Sequence, residues 1–417
     1  MNPKINILLI TIILGLIGCK SGSELTNGIE QKTVSTELQK KLTAWQQGYM
    51  DIHHINTGSG NCTFFILPDG TTMLFDAGSM DKEAFEEKYA PLKATAPVPN
   101  NSKSTSQWIS TYIKNVTPKE HQDSIDYALI SHFHSDHYGS LMGLGKEIPF
   151  GKIIDRNSPH LNFPFDLKTT LKDDQLFQDY LSFLETSQVP VEALKSGSKT
   201  QIKLLKNQSK YPNFYIRNIK SNGTLWTGTA NDTMELFSAE DMTSFYKGGY
   251  NENPLSLALK ISYGDFDYFT GGDNTGLQGY GLPTWFDVES PMAKVVGQVE
   301  VTTLNHHGNR DATNEFFVQT LNPKVVVQQL WCSDHPGQEV YQRLIYKNEN
   351  TNTRDIFSTN MHPETLVTYG PWFKDNYKSL QGHVVLRVNP SGETFMVYIL
   401  DETTMNIKST YGPYQSK

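Results

Sequence analysis

Residues Ser131-His132-Phe133-His134-Ser135-Asp136-His137-Tyr138-Gly139 place three imidazoles and one carboxylate within six positions. Donors crowded this closely are costly to hold without a cation, and imidazole and carboxylate suit zinc best, with manganese or iron as alternatives. On an extended chain, side chains two residues apart point the same way, so His132 and His134 can converge on one ion. If the chain then turns into a helix, Asp136 and His137 can face a second ion beside the first. The bland alternative is a solvated, hydrogen-bonded histidine patch. A cation held this way with an open position lowers the pKa of bound water to about 7, which supplies a nucleophile for hydrolysis at neutral pH.

The elements that must position this cluster are legible as short apolar runs. Residues 125–130 read as a buried strand ending at the cluster. Residues 62–67, the turn Pro68-Asp69-Gly70 and residues 71–75 read as a β-hairpin. Similar strand signals recur at residues 255–262, 268–270, 299–304, 324–330, 383–388 and 395–400, each bounded by Gly, Pro, Asn or Asp. Leu176, Phe177, Tyr180, Leu181 and Leu184 mark a helix, and Thr36 with Gln39 makes a capping-box pattern before Leu38, Leu42 and Trp45 at helical spacing. Mixed strands and helices without a repeat predict a layered α/β sandwich.

The chain has 417 residues, with 36 Lys and Arg against 44 Asp and Glu, a formal charge of −8, and three cysteines. Three cysteines cannot staple a disulfide miniprotein, and 20 Tyr, 21 Phe and 6 Trp are too many for a disordered chain. The acidic balance argues against an extensive nucleic-acid-binding face, because such binding is driven by basic residues that release counterions. Residues 5–18 form an apolar run too short for a membrane span of about 20 residues. The run ends at Gly18-Cys19, which reads as a lipoprotein signal with Cys19 the lipidated first residue of the mature chain. The expected setting is the bacterial cell envelope, with the protein anchored to a membrane by lipid. Cys62 and Cys332 sit in no metal-binding spacing and read as buried structural thiols.

The H-x-H-x-D-H pattern, together with Asp76 in Leu74-Phe75-Asp76-Ala77-Gly78, Asp273 in Thr270-Gly271-Gly272-Asp273 and Asn305-His306-His307-Gly308 after a strand, resembles the metallo-β-lactamase superfamily. A finer resemblance is to the hydrolase domain of the DNA-uptake competence protein ComEC and its free-standing relatives. It is carried by Gly58-Ser59-Gly60-Asn61, residues 253–264, His306-His307-Gly308 and Asp334-His335-Pro336. The resemblance implies a four-layer αββα sandwich and two divalent metal ions, expected to be zinc, held by His132, His134, Asp136, His137, Asp273 and His306. It also implies that Asp136 and Asp273 hold and orient the attacking water, and that Asp76 supports the loop without touching metal.

Two departures from the family pattern stand out. Its third histidine ligand has no clear counterpart, since His160 lies in a loop-like context. Asn61 and Cys62 replace the acidic and small residues that the ComEC-like relatives carry near the site. Between His306 and His307, His306 is expected as the ligand because it directly follows the strand, leaving His307 to touch substrate or to orient the site. His335 could bind a substrate phosphate, donate a proton or simply hold its loop.

The expected organisation is a signal at 1–18, a tether with a short helix at 19–49, and a hydrolase domain over 50–402. Insertions are expected near 79–124 and 155–211, with a tail at 403–417. The favoured activity is a metal-dependent phosphodiesterase acting on nucleic acid or related polymers or small molecules. The alternatives are a carboxylic ester, lactone or β-lactam hydrolase and a non-catalytic metal-binding lipoprotein.

Overall fold

Alternation along the first strands sets the layers, because successive side chains leave a strand on opposite faces. Strand β1 (Met50–His54) sends Met50 and Ile52 into one apolar layer; β2 (Cys62–Ile66) adds Phe65 to that layer and sends Phe64 and Ile66 to the opposite face. The structure, a computed structural model, describes residues 40–349 and 351–417.

The first sheet continues through β3 (Thr72–Ala77), β4 (Tyr127–Leu129), β5 (Ile153–Asp155) and β6 (Val191–Ala193), which run parallel from β3 onward. The second sheet holds β7 (Phe214–Ser221), β8 (Thr224–Trp226), β9 (Thr233–Glu235), β10 (Ala258–Tyr263), β11 (Phe266–Thr270), β12 (Val301–Thr303), β13 (Val325–Gln328), β14 (Asp355–Ser358) and β15 (Tyr377–Ser379). Its strand order is β15-β14-β13-β12-β11-β10-β7-β8-β9, with the strands from β11 to β15 parallel. The chain then returns through β16 (His383–Val388), β17 (Thr394–Leu400) and β18 (Ile407–Gln415) to complete the first sheet as β18-β17-β16-β1-β2-β3-β4-β5-β6.

One core lies between the sheets, with Phe65, Phe75 and Leu129 from the first meeting Ile261, Tyr268 and Val327 from the second. After α1 (Lys82–Lys88), α2 (Thr105–Val116) and later helices cover a second core on the outer face of the first sheet, which draws Ile109 and Ile113 from α2. Helix α1 itself buries no residue. A third core covers the outer face of the second sheet with helices Glu289–Val296, Glu315–Leu321 and Gln338–Ile345. The result is the expected four-layer αββα sandwich. The parallel strands β3, β4, β11, β12 and β13 all lead into loops at their carboxyl ends, where open α/β sheets place their ligands.

Several expectations change. Residues 40–49 contain no helix; Lys41 bridges to Asn406, Trp45 donates to the Tyr49 carbonyl and Arg387 holds the Thr43 carbonyl. Thr36, Leu38, Gln39, the signal and Cys19 lie outside the described residues. The stretch 155–211 contributes β6 and helix Gln175–Ser187, whose Phe177, Tyr180 and Phe183 belong to the second core, so it completes a layer of the sandwich. The stretch 403–417 contains β18, paired antiparallel to β17. No helix among the described residues is long and apolar enough to cross a membrane.

Asp51 is buried on β1 and receives both Arg387 Nε (2.8 Å) and Nη2 (2.6 Å) from β16. Removing one member of such a pair strands a buried charge. Arg387→Met is therefore expected to cost about 3–5 kcal/mol in urea-unfolding stability; a loss below about 1 kcal/mol would show that the pair is not needed.

Candidate metal centre

The cluster begins where β4 ends. Ser131 donates its backbone N–H to Asp76 Oδ1 (2.7 Å) and its hydroxyl to Asp76 Oδ2 (2.8 Å), so the carboxylate at the end of β3 fixes the start of the loop. A short helix α3 (Ser135–Tyr138) then turns Asp136 and His137 inward. The loop is also held by backbone bonds, with Asn61 N–H on the Asp136 carbonyl and Ser79 N–H on the Ser135 carbonyl. That approach is too close for a side chain at residue 78, where a Cβ would lie 1.8 Å from the Asp136 carbonyl oxygen. This explains the glycine of Asp76-Ala77-Gly78.

Two donor groups form here. Asp136, His137, Asp273 and His307 converge in one, His132, His134 and Asp273 in the other, each with its donor atoms within 4.8 Å of one another. Asp273 belongs to both. His137 Nε2 lies 3.1 Å from Asp273 Oδ1 and 3.6 Å from Asp136 Oδ2. His307 Nε2 lies 2.9 Å from Asp136 Oδ2 and 3.7 Å from Asp273 Oδ2. His132 Nε2 lies 3.7 Å from Asp273 Oδ2 and 3.1 Å from His134 Nδ1. His132 is fully buried, while His134 is exposed at the cleft.

The other ring nitrogens show how these imidazoles are aimed. His137 Nδ1 donates to Asp76 Oδ2 (2.8 Å), so Asp76 aims this imidazole and stands in neither donor group. His307 Nδ1 donates to the Gln329 carbonyl (2.9 Å). In neutral rings, His137 Nε2 then presents a lone pair towards carboxylates, while His307 Nε2 faces Asp136 and accepts from the Trp331 indole N–H (3.2 Å). Both His137 Nε2 and Asp273 Oδ1 are buried without a hydrogen-bond partner. Lone pairs facing carboxylate oxygens in a buried site are an arrangement that a cation relieves, and the donors are those of divalent metal sites. Burial opposes charge on Asp273, yet His137, His307, His306 and His132 hold its carboxyl well below the usual range. Burial also opposes protonation of His137, but Asp273, Asp136 and Asp76 raise its pKa well above that of free imidazole, so without a cation a proton on this ring takes the place that a metal would fill. For His132 burial prevails, and its pKa falls well below the ordinary value.

Of the two adjacent histidines, His307 and not the expected His306 stands in a donor group. The turn after β12 bends through left-handed backbone at both residues, with φ of 46° at His306 and 54° at His307, and this swings His307 into the cluster. Paired positive-φ side chains are costly and concentrate at functional sites. His306 is half-buried; its Nδ1 pairs with Asp311 and its Nε2 lies 3.8 Å from Asp273 and 3.2 Å from Asn253 Nδ2. Burial works against its cation, but Asp311 and Asp273 raise its pKa to about 9. His335 is buried, its ring stacked on His307 at 4.9 Å. His160 is exposed on a turn and stands in neither donor group.

Three supporting residues gave no sequence signal. Glu252 accepts the Phe133 N–H (2.8 Å) and pairs with the buried Arg156 through two bonds of 2.6 and 2.8 Å, pinning the histidine loop to the second sheet. Glu289, fully buried, accepts from Asn305 Nδ2 and the N–H groups of Thr313 and Asn314, each at 2.7 Å, and so anchors the turn that carries His307. Burial raises its pKa to about 7. A cleft of about 600 Å³ opens over the cluster, with Met80, Phe85, Phe133 and Trp331 on its apolar walls and His134, His306 and Asn253 at its polar end.

Asp76→Ala removes the group that aims His137 and is expected to weaken zinc binding about 10–100-fold by competition with a chelating dye. Unchanged affinity would contradict that role. Glu252→Ala leaves Arg156 buried without its carboxylate and is expected to lower unfolding stability by about 3–5 kcal/mol; a loss near zero would contradict the pinning.

Residues 55–198 match the metallo-beta-lactamase superfamily. No curated protein sequence matches the chain. Among solved structures, a mutant of the CmlA beta-hydroxylase aligns at 13% identity and a TM-score of 0.34 over 67% of this chain, and the chain covers 45% of that protein. Igni18, a metallo hydrolase from Ignicoccus hospitalis, aligns at 12% identity and a TM-score of 0.31, covering 67% of this chain and 81% of the other. ST1585, a metallo-beta-lactamase superfamily protein from Sulfolobus tokodaii, aligns at 12% identity and a TM-score of 0.28, covering 61% and 79%. The family match spans β2 to β6 and the H-x-H-x-D-H loop between them, about a third of the chain.

Proposed function

We propose that this chain is a metal-dependent hydrolase that cleaves phosphodiesters. The observation that carries the proposal is the carboxylate of Asp273 shared by two donor groups. When bound there, a pair of divalent cations polarises the scissile group and activates water, and paired sites about 3.5–4 Å apart suit in-line displacement at phosphorus. Zinc is the proposed metal, with manganese or iron as alternatives.

The chain's own residues supply orientation. Asp76 holds the Nδ1 proton of His137 and the Gln329 carbonyl holds that of His307, which keeps both Nε2 atoms directed at the cluster. Asp136 and Asp273 offer carboxylate oxygens to hold and orient a water between the histidines. His306 reaches the cleft beside Asn253, paired with Asp311, and is suited to contact an anionic substrate. The finer likeness to the ComEC hydrolase domain supports a phosphodiester. The overall charge of −8 favours a small or short substrate over a long nucleic-acid track. The apolar walls formed by Met80, Phe85 and Trp331 favour a second reading, an uncharged ester or lactone. The pattern at residues 1–19 supports a protein lipidated at Cys19 and held at the cell envelope.

Purified chain supplied with zinc or manganese is expected to hydrolyse a chromogenic phosphodiester in a chelator-sensitive manner. His134→Ala and His307→Ala should abolish turnover with the circular-dichroism spectrum kept, and His306→Ala should raise KM more than it lowers kcat. Chelator-sensitive turnover of a lactone or β-lactam with none of any phosphodiester would overturn the substrate assignment. Metal content below one ion per chain after metal-replete purification would favour a non-catalytic binding protein.

A further inference from the structure

We infer that Cys332, Asp334 and His335 form a separate binding site for a thiolate-preferring divalent cation such as zinc. One atom of each residue lies within 4.8 Å of the others, and none of the three belongs to the groups around Asp273. Sulfur, carboxylate and imidazole donors together select zinc-like ions over calcium or magnesium, which take oxygen. Both Cys332 and His335 are buried, at 1% and 3% exposure, and neither cysteine of the described chain is in a disulfide.

Unmet polar atoms supply a second observation. Asp334 Oδ1 and His335 Nδ1 are buried without any hydrogen-bond partner, and His335 Nε2 stands 3.6 Å from Asp334 Oδ1, too far for a direct bond. Each unsatisfied buried group costs about 1–3 kcal/mol, and one cation between these donors would relieve Asp334 Oδ1, and His335 Nδ1 as well when that nitrogen is the one bound. Donors sharing a zinc ion are about 3.5 Å apart, given bond lengths near 2.0–2.3 Å, so modest side-chain rotation closes the site.

The backbone is already fixed for this. Ser333 N–H donates to the Lys93 carbonyl (2.9 Å), Ala94 bridges to Cys332, and the Thr365 hydroxyl donates to the Ser333 carbonyl (3.0 Å). On binding, the Sγ–H proton passes to solvent as the sulfur–metal bond forms, with no change of oxidation state. Because His335 stacks on His307, occupancy here is mechanically coupled to a ring that faces Asp136.

Cobalt(II) titration of the full chain, stripped of metal with a chelator, tests the site without any reference to hydrolysis. A sulfur-to-cobalt charge-transfer band in the near ultraviolet is expected. It should persist in Cys62→Ser and in His134→Ala, and vanish in Cys332→Ser. Zinc content after loading should fall by one ion per chain in Cys332→Ser. Should that variant fail to fold, Asp334→Asn at the rim reads the same site and should weaken cobalt binding at the band at least tenfold. Absence of the band in the unsubstituted chain, its persistence in Cys332→Ser, or unchanged affinity in Asp334→Asn would overturn the inference, whether or not the protein proves to be a phosphodiesterase.

Discussion

The rest of the architecture depends on one buried carboxylate, Asp273, held among four imidazoles. His132, His137, His306 and His307 place nitrogens 3.7, 3.1, 3.8 and 3.7 Å from its oxygens. No local segment could gather these groups. His132 and His137 follow β4 in the first sheet, Asp273 follows β11 in the second, and His306 and His307 follow β12. Only packing the two sheets face to face brings the carboxyl ends of these strands together. The apolar core between the sheets is thus also the scaffold that sets the spacing of the donors.

Bringing so much polarity out of water has a cost that the surroundings offset in stages. Asp76, the Gln329 carbonyl and Ser131 hydrogen-bond the outward nitrogens of the rings. Behind them, the Arg156–Glu252 pair and Glu289 tie the histidine-bearing turns to the framework. What remains unsatisfied, His137 Nε2 and Asp273 Oδ1, points to where a cation belongs. Orientation of ligands by such outer partners is what makes metal affinity sensitive to residues that never touch the ion.

The parts readable from the sequence were those encoded locally. The β-branched and aromatic runs around Pro68-Asp69-Gly70 marked the first hairpin, and the H-x-H-x-D-H spacing marked His132, His134, Asp136 and His137, which the fold gathers into the two donor groups. Asp76 was legible through its place in a family motif. Directly following β12 did not decide between His306 and His307, because both residues adopt left-handed backbone in the turn and His307 is the one in a donor group. Glu252 was silent because its partners, Phe133 and Arg156, are 119 and 96 residues away. Its neighbour Asn253 stood within a recognised segment, which was the one available hint. The helix expected over residues 38–45 is absent from 40–45 because Arg387 and Asn406, remote in sequence, recruit that backbone into extended contacts. Cys332 was read as an isolated thiol, since its donors Asp334 and His335 follow in a spacing that no common zinc motif uses.

The most direct test is anomalous scattering from crystals of the zinc-loaded protein, collected on both sides of the zinc edge. Two ions flanking Asp273 are expected, one held by His132 and His134 and the other by Asp136, His137 and His307, with His306 free of metal and facing the cleft. A single ion, or His306 bound in place of His307, would contradict a two-cation centre built around that carboxylate.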